Sequence, residues 1–137
     1  MPVLVKAHAK GVAMTPRKIG IVANLVRGRS VADALVILGH TPRRAAEPLI
    51  KVIESAKANA SNNHNVNTDN LQIAELHVGP GPRMKRFRPI ARGSANPYQK
   101  KSTHITVVVS GEEKIKPKAK TTTKTTGKAA TAKKETK

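Results

Sequence analysis

The chain has 137 residues, and 26 Lys plus Arg against 8 Asp plus Glu give it a formal net charge of +18. This length allows one small domain, and this charge favours an anionic macromolecule as partner. With no cysteine in the chain, disulfides and thiolate metal sites are excluded. No apolar stretch approaches the ~20 residues of a membrane span, and the start does not resemble a signal peptide, so we expect no membrane partner.

The first predicted element is a strand at Val3–Lys10, where small apolar side chains alternate with polar ones. Its polar face carries Lys6 and Lys10, which are candidate RNA contacts. The alternative is an ordinary solvated sheet face, and the residues alone leave both open.

The second element is a helix that starts at Thr15-Pro16, because proline at the first helical position lacks only a donor that the helix does not use. Gly28 ends it. Basic residues lie at both ends of this helix, where RNA contact and a solvated terminus are the two alternatives. These candidate RNA contacts are Arg17, Lys18, Arg27 and Arg29.

Two further helices are predicted. Ser30 caps the first of them, with Asp33 three residues on as the partner in a capping box. The second starts at Thr41-Pro42 and runs to about Ala60, and Pro48 within it predicts a kink or a late start.

A polar loop at Ser61–Asn70 follows, and its only carboxylate is Asp69, so we expect no metal site. Strands are predicted at Leu71–Val78, with a bulge at Ala74-Glu75, and at Thr103–Val109. Three helices and three strands predict a two-layer α+β domain with a small antiparallel sheet.

Residues 79–102, here called the basic ribbon, lie between these last two strands and contain no Asp or Glu. Its two arms are predicted to leave the sheet side by side and to turn near Arg92-Gly93-Ser94, as a long protruding hairpin. The four prolines of the ribbon predict irregular pairing. The candidate RNA-binding residues of the ribbon are Arg83, Lys85, Arg86, Phe87, Arg88, Arg92, Tyr98, Lys100 and Lys101.

Such a ribbon has too few apolar side chains to fold alone, so we expect it to be mobile until nucleic acid surrounds it. A disordered basic loop that only aids solubility is the alternative. The interleaving of Phe87 and Tyr98 with cations favours nucleic acid, because aromatic rings stack on bases.

The tail at 111–137 holds nine lysines and three glutamates among Thr and Ala. This composition predicts disorder, and the tail is either a solvated extension or a nonspecific RNA tether. We therefore expect one RNA-binding domain at 1–110 and a separate tail.

Nothing in the sequence indicates an enzyme. The carboxylates of the body are scattered, the histidines lack a regular ligand spacing, and no nucleophile stands beside a base. We expect no cofactor, no metal and no small-molecule substrate.

Together the residues resemble one known family. In order along the chain, the matching segments are Lys10–Lys18 (KGVxMTPRK), Val26–Leu35 (VRGRSVADAL), Lys57–Ala60 (KANA), Met84–Pro89 (MKRFRP) and Thr103–Val109 (THITVVV). This series is similar to the bacterial large-ribosomal-subunit protein twenty-two family, over about Val3 to Ser110.

The resemblance implies a cytoplasmic protein in the ribosome, bound to large-subunit ribosomal RNA and to neighbouring ribosomal proteins. In that family the hairpin threads between RNA segments, and its tip lines the tunnel through which nascent polypeptide leaves. Carried onto this chain, the tip is Arg88, Pro89, Ile90, Ala91, Arg92, Gly93, Ser94, Ala95 and Asn96. The family usually has a basic residue where Ser94 stands here.

Two other classes share the charge of this chain. A DNA-compacting architectural protein would insert the ribbon into a minor groove, and it would bind duplexes without preferring structured RNA. A soluble RNA chaperone would share the basic tail.

Overall fold

Three strands and three helices make up the computed structural model, which describes residues 3–112. The elements are β1 (Val3–Val12), α1 (Pro16–Val26), α2 (Val31–His40), α3 (Ala46–His64), β2 (Gln72–Pro89) and β3 (Ala95–Gly111). A single 3-10 turn, Ala91–Gly93, joins β2 to β3. Most of the predicted tail lies outside the described residues, but Gly111 belongs to β3 and pairs with Val3.

The sheet is antiparallel with the order β1-β3-β2, so the last strand in the chain lies in the middle. The predicted α+β class, with three helices and three strands, is confirmed. Because β3 pairs with β1 over its second half and with β2 along its whole length, it ties the domain to the basic ribbon.

The core lies between the helices and one face of the sheet. Alternation along the strands places Val5, Ala7, Ile105 and Val107 on that face, and all of them are buried. The apolar stripe of α1, which is Ile19, Val22, Ala23 and Val26, is fully buried against them. Each fully buried Ile or Val contributes roughly 1.5–3 kcal/mol, so an aliphatic core of this kind suffices for a small domain.

Several features that were predicted from neighbouring residues are present in the structure. The Ser30 hydroxyl accepts a hydrogen bond from the Asp33 amide at 3.1 Å, which confirms the predicted N-cap. The Asp33 carboxylate accepts from the Ser30 hydroxyl at 2.7 Å rather than from the Ser30 amide, as a capping box would require. The register between β2 and β3 shifts between Ile73 and Glu75, which confirms the predicted bulge.

α3 does not start at Thr41-Pro42, and of the two consequences predicted for Pro48, a kink or a late start, the structure shows the late start. Thr41 ends α2 instead, since its hydroxyl donates to the Ile37 carbonyl at 2.7 Å. The helix begins at Ala46, which puts Pro48 in the first turn, where a missing donor costs nothing. The helix also runs past Ala60 into the predicted loop and ends at His64.

No helix within residues 3–112 is both long and apolar enough to cross a membrane.

Candidate nucleic-acid interface

The basic ribbon changes from buried to exposed at its root. Thr103 is fully buried, and its hydroxyl donates to the Met14 carbonyl. Beyond it, every residue from 82 to 101 is exposed. Within residues 3–112, the ribbon is therefore anchored in the domain only at its root.

The backbone pairing of the two arms is irregular at one place near the sheet and regular from there to the tip. The register shifts between Pro80 and Arg83, and from there the pairs run without interruption from Arg83–Lys101 to Pro89–Ala95. Gly81 lies in the shift, where a Cβ would come within 2.6 Å of the Ser102 hydroxyl oxygen. That hydroxyl instead donates to the Pro82 carbonyl at 2.7 Å and closes the ribbon at its root.

Both faces of the ribbon carry cations and one aromatic ring. Cross-strand partners share a face, and alternate residues along each arm return to it. One face therefore holds Arg86, Arg88, Tyr98 and Lys100, and the other holds Arg83, Lys85, Phe87 and Lys101. A single flat anionic surface could contact the cations of only one of these two faces.

The aromatic rings of the ribbon are largely in contact with solvent. The Phe87 side chain is 74% exposed, a high value for a large apolar group. The Arg88 guanidinium carbon lies 5.8 Å from the centre of the Tyr98 ring, within cation–π range. Phe87 is thus available for stacking on a base, and Tyr98 orients a neighbouring guanidinium.

The tip is a tight turn that is closed by its own backbone. The amide of Ile90 donates to the Ser94 carbonyl at 2.8 Å. Arg92 and Gly93 are both in the left-handed region, with φ of 59° and 72°. This backbone conformation is unfavourable for a residue with a side chain, such as Arg92. The cationic side chain of Arg92 lies at the apex together with the half-exposed Ile90.

Lys6 and Lys10 project from the open face of the sheet, which the helices do not cover. Both are exposed, and Lys6 lies in one cross-strand row with Val108 and Glu75. On the same face the His8 ring contacts the Thr106 hydroxyl at 3.0 Å.

Arg27 and Arg29 make hydrogen bonds within the domain that were not predicted from the sequence. The Arg27 Nε donates to the Leu76 carbonyl at 3.1 Å, and one of its terminal nitrogens donates to the Asn24 side-chain oxygen at 2.8 Å. The Arg29 Nε donates to the Leu25 carbonyl at 2.9 Å, near the end of α1. Because β2 is an edge strand, Arg27 satisfies a carbonyl that no neighbouring strand pairs.

A concave surface, here called the root cleft, lies where the ribbon leaves the body. Its basic lining residues are Lys18, Arg43, Arg44, Lys100 and Lys101. Lys18, Lys100 and Lys101 were predicted from the sequence as RNA contacts, whereas Arg43 and Arg44, which follow Thr41-Pro42 in no periodic pattern, were not. An adjoining recess is lined by Arg17, Arg83 and Lys101.

None of the candidate cations is paired with a carboxylate within residues 3–112. The ion pairs there are Lys51–Glu47 at 2.9 Å and His77–Glu75 at 3.0 Å, both on the surface. The hydrogen bond from Lys51 and its charge, with a smaller contribution from Arg44, hold the pKa of the Glu47 carboxyl below its usual value. The Glu47 carboxylate next to the root cleft is thus already engaged.

The described part of the chain contains no group of three or more His, Asp or Glu side chains suited to hold a metal ion. Its polar chemistry consists of exposed cations with few anionic partners. Exposed cations of this kind attract phosphates.

Comparison with known proteins gives the family. The family described as Ribosomal protein L22p/L17e matches residues 7–110. Large ribosomal subunit protein uL22 of Clostridium perfringens is 51% identical over 104 residues, which cover 76% of this chain and 94% of that protein. The protein of the same name from Latilactobacillus sakei is 49% identical over 107 residues, which cover 78% of this chain and 92% of that protein.

The chain belongs to the ribosomal protein L22p/L17e family. It is therefore a structural ribosomal protein and not an enzyme, and the resemblance drawn from the sequence motifs is confirmed.

The contacts of Arg27 predict that it acts on stability. Replacing Arg27 by Ala removes the hydrogen bonds to Leu76 and Asn24 and should lower the free energy of unfolding by about 1–2 kcal/mol, measured by urea denaturation. The matched control is Arg17→Ala, which removes an unpaired cation from the first turn of α1 and should change stability by at most about 0.5 kcal/mol. Equal urea midpoints for the wild type and Arg27→Ala would refute the structural assignment.

Proposed function

We propose that the chain binds large-subunit ribosomal RNA through the basic ribbon and supports the assembly of the subunit around it. As a member of its family, it is a structural constituent of the large ribosomal subunit. The relatives carry that subunit in their names, and a place in the cytoplasmic ribosome follows for this chain under the same proposal.

The two-sided charge of the ribbon is the observation that supports RNA binding most strongly. Cations and one aromatic ring lie on each face, every residue from 82 to 101 is exposed, and no carboxylate interrupts them. Neighbouring like charges repel one another, and phosphates on both sides would relieve that repulsion. The ribbon is therefore suited to lie between RNA segments rather than on the surface of one.

Within this proposal, the body supplies further RNA contacts. Lys6 and Lys10 extend from the open sheet face, and Arg17 and Lys18 from the first turn of α1. Arg27 and Arg29 are bonded to their own backbone, so contact with a phosphate would use only their remaining donors. Neighbouring ribosomal proteins are expected partners of the remaining surface.

We further propose that the tip, from Arg88 to Asn96, forms part of the wall of the tunnel through which nascent polypeptide leaves. All of its residues are exposed, and the closed turn presents Arg92 and Ile90 at the far end of the ribbon. A small turn with one cation and one apolar side chain is suited to border a peptide without binding it tightly.

The family favours this function over the two alternatives, DNA compaction and a free RNA chaperone. Those alternatives would use the same charge, so RNA and duplex DNA of equal length should be compared in every binding measurement.

Replacing Lys85, Arg86 and Arg88 together by Ala should weaken binding to protein-free large-subunit ribosomal RNA. The slope of log affinity against log salt should fall by about two to three, since each phosphate contact contributes roughly 0.7–0.9. Thermal unfolding should be nearly unchanged, because all of these side chains are exposed. The matched control, Lys85→Arg with Arg86→Lys and Arg88→Lys, keeps the charge and should keep the slope. Loss of folding in the Ala variant would show that the residues are structural.

The placement of the tip is tested by a photo-crosslinking amino acid at position 92, incorporated into ribosomes that carry a stalled, labelled nascent chain. The expected result is a crosslink between the tip and the nascent chain. The same group at position 58, on the solvent side of α3, is the control and should give none. Crosslinking from position 58 alone would contradict the tunnel placement.

A further inference from the structure

We propose that the root cleft binds the phosphodiester backbone of one RNA strand and that this strand joins the ribbon to the body. The inference rests on the proposed function, because it names a second contact surface for the same RNA. Its basic lining comes from Lys18, Arg43, Arg44, Lys100 and Lys101.

The lining residues come from separate parts of the fold. Lys18 lies in the first turn of α1, Arg43 and Arg44 in the turn between α2 and α3, and Lys100 and Lys101 in β3. All of them are exposed, so the core does not require their charges. Because these cations lie close together, they repel one another and raise the free energy of the free protein. An anion in the cleft would offset this repulsion.

The wall on the side of the body is rigid. The Arg43 amide donates to the Thr41 carbonyl at 2.7 Å, and the Ala46 amide donates to the Arg43 carbonyl at 2.9 Å. Ala45 and Ala46 are buried immediately after the arginine pair. The backbone that carries Arg43 and Arg44 is therefore held in place before any ligand arrives, which lowers the entropic cost of binding.

The wall on the side of the ribbon is positioned by the buried Thr103. Its hydroxyl bonds to the Met14 carbonyl, and Met14 itself lines the cleft. Lys100 and Lys101 precede Thr103 by three and two residues, so this contact places them beside the start of α1.

The chemistry of the cleft selects phosphate rather than bases. Its lining contains no aromatic side chain and no carboxylate. The carboxylate of Glu47, which lines the neighbouring surface, is bonded to Lys51 at 2.9 Å. Cations of this kind hold a backbone in register without reading its sequence. The adjoining recess, with Arg17 and Arg83, extends the basic surface along the ribbon.

A strand seated in the cleft would touch both of its walls at once. It would thereby help to fix the direction of the ribbon relative to the body, together with the continuous strands β2 and β3 and the Thr103 hydrogen bond at the root. The root cleft thus couples binding at the body to the orientation of the ribbon.

The first test measures binding of full-length variants to protein-free large-subunit ribosomal RNA over a range of salt concentrations. Replacing Arg43 and Arg44 together by Gln should lower the salt slope by about 1.5–2, and Arg43→Gln alone by about half as much. The urea midpoint of the free double variant should stay nearly the same, because less repulsion in the cleft is offset by the loss of the attraction between Arg44 and Glu47. The matched control, Lys57→Gln, removes one charge from α3 at a surface without ribbon residues and should leave the slope unchanged.

The second test uses the absence of cysteine from the wild-type chain. A hydroxyl-radical-generating iron chelate is attached at Ala13→Cys, which lines the cleft, or at Ser94→Cys at the ribbon tip. Both should cut the bound RNA, and the cuts from position 13 should weaken when Arg43 and Arg44 are changed to Gln.

Cutting from position 94 without cutting from position 13 would overturn the root cleft while leaving the proposed function intact. An unchanged salt slope in the Arg43 and Arg44 variants, or an equal fall in Lys57→Gln, would overturn it as well. If the wild-type chain does not bind the RNA at all, the proposed function itself fails.

Discussion

Repulsion among uncompensated cations is the constraint on which the rest of this structure depends. Residues 79–102 carry Lys and Arg on both faces without a single carboxylate, and the described domain offers them no ion pair. A two-stranded ribbon is marginal even when it is neutral. We therefore expect its conformation to draw stability from an external polyanion, and the proposed RNA contacts would supply that stability on both sides.

The domain gives this ribbon a fixed origin. β3 lies in the middle of the sheet, where Ile105, Val107 and Val109 are fully buried, and the same strand continues outward as the return arm. Thr103 marks the transition, because its side chain is the last fully buried one before the exposed arm. One strand thus contains both a buried aliphatic segment and an exposed charged segment. The ribbon is therefore attached to the domain without a separate linker.

Much of this was predictable from local sequence, and the rest depends on contacts that no sequence pattern marks. Alternation in β1, the Ser30–Asp33 cap and the bulge before Glu75 depend on neighbouring residues, and all were predicted correctly. The late start of α3 was one of two alternatives predicted from Pro48, but the bond from Thr41 to the Ile37 carbonyl at the end of α2 was not predicted. The RNA contact predicted for Arg27 stays a prediction, and its hydrogen bond to the Leu76 carbonyl, 49 residues away, was not predictable from neighbouring residues. Arg43 and Arg44 meet Lys100 and Lys101 only through the tertiary fold, so no sequence pattern marks the root cleft.

The account is tested most directly by the hydrogen exchange of the ribbon amides in the free protein and in its complex with protein-free large-subunit ribosomal RNA. It predicts fast exchange across residues 83–101 in the free protein, slow exchange in the complex, and slow exchange in the core of β3 in both. Equal, strong protection of the ribbon amides without RNA would contradict it, because the ribbon would then hold its shape despite its own repulsion.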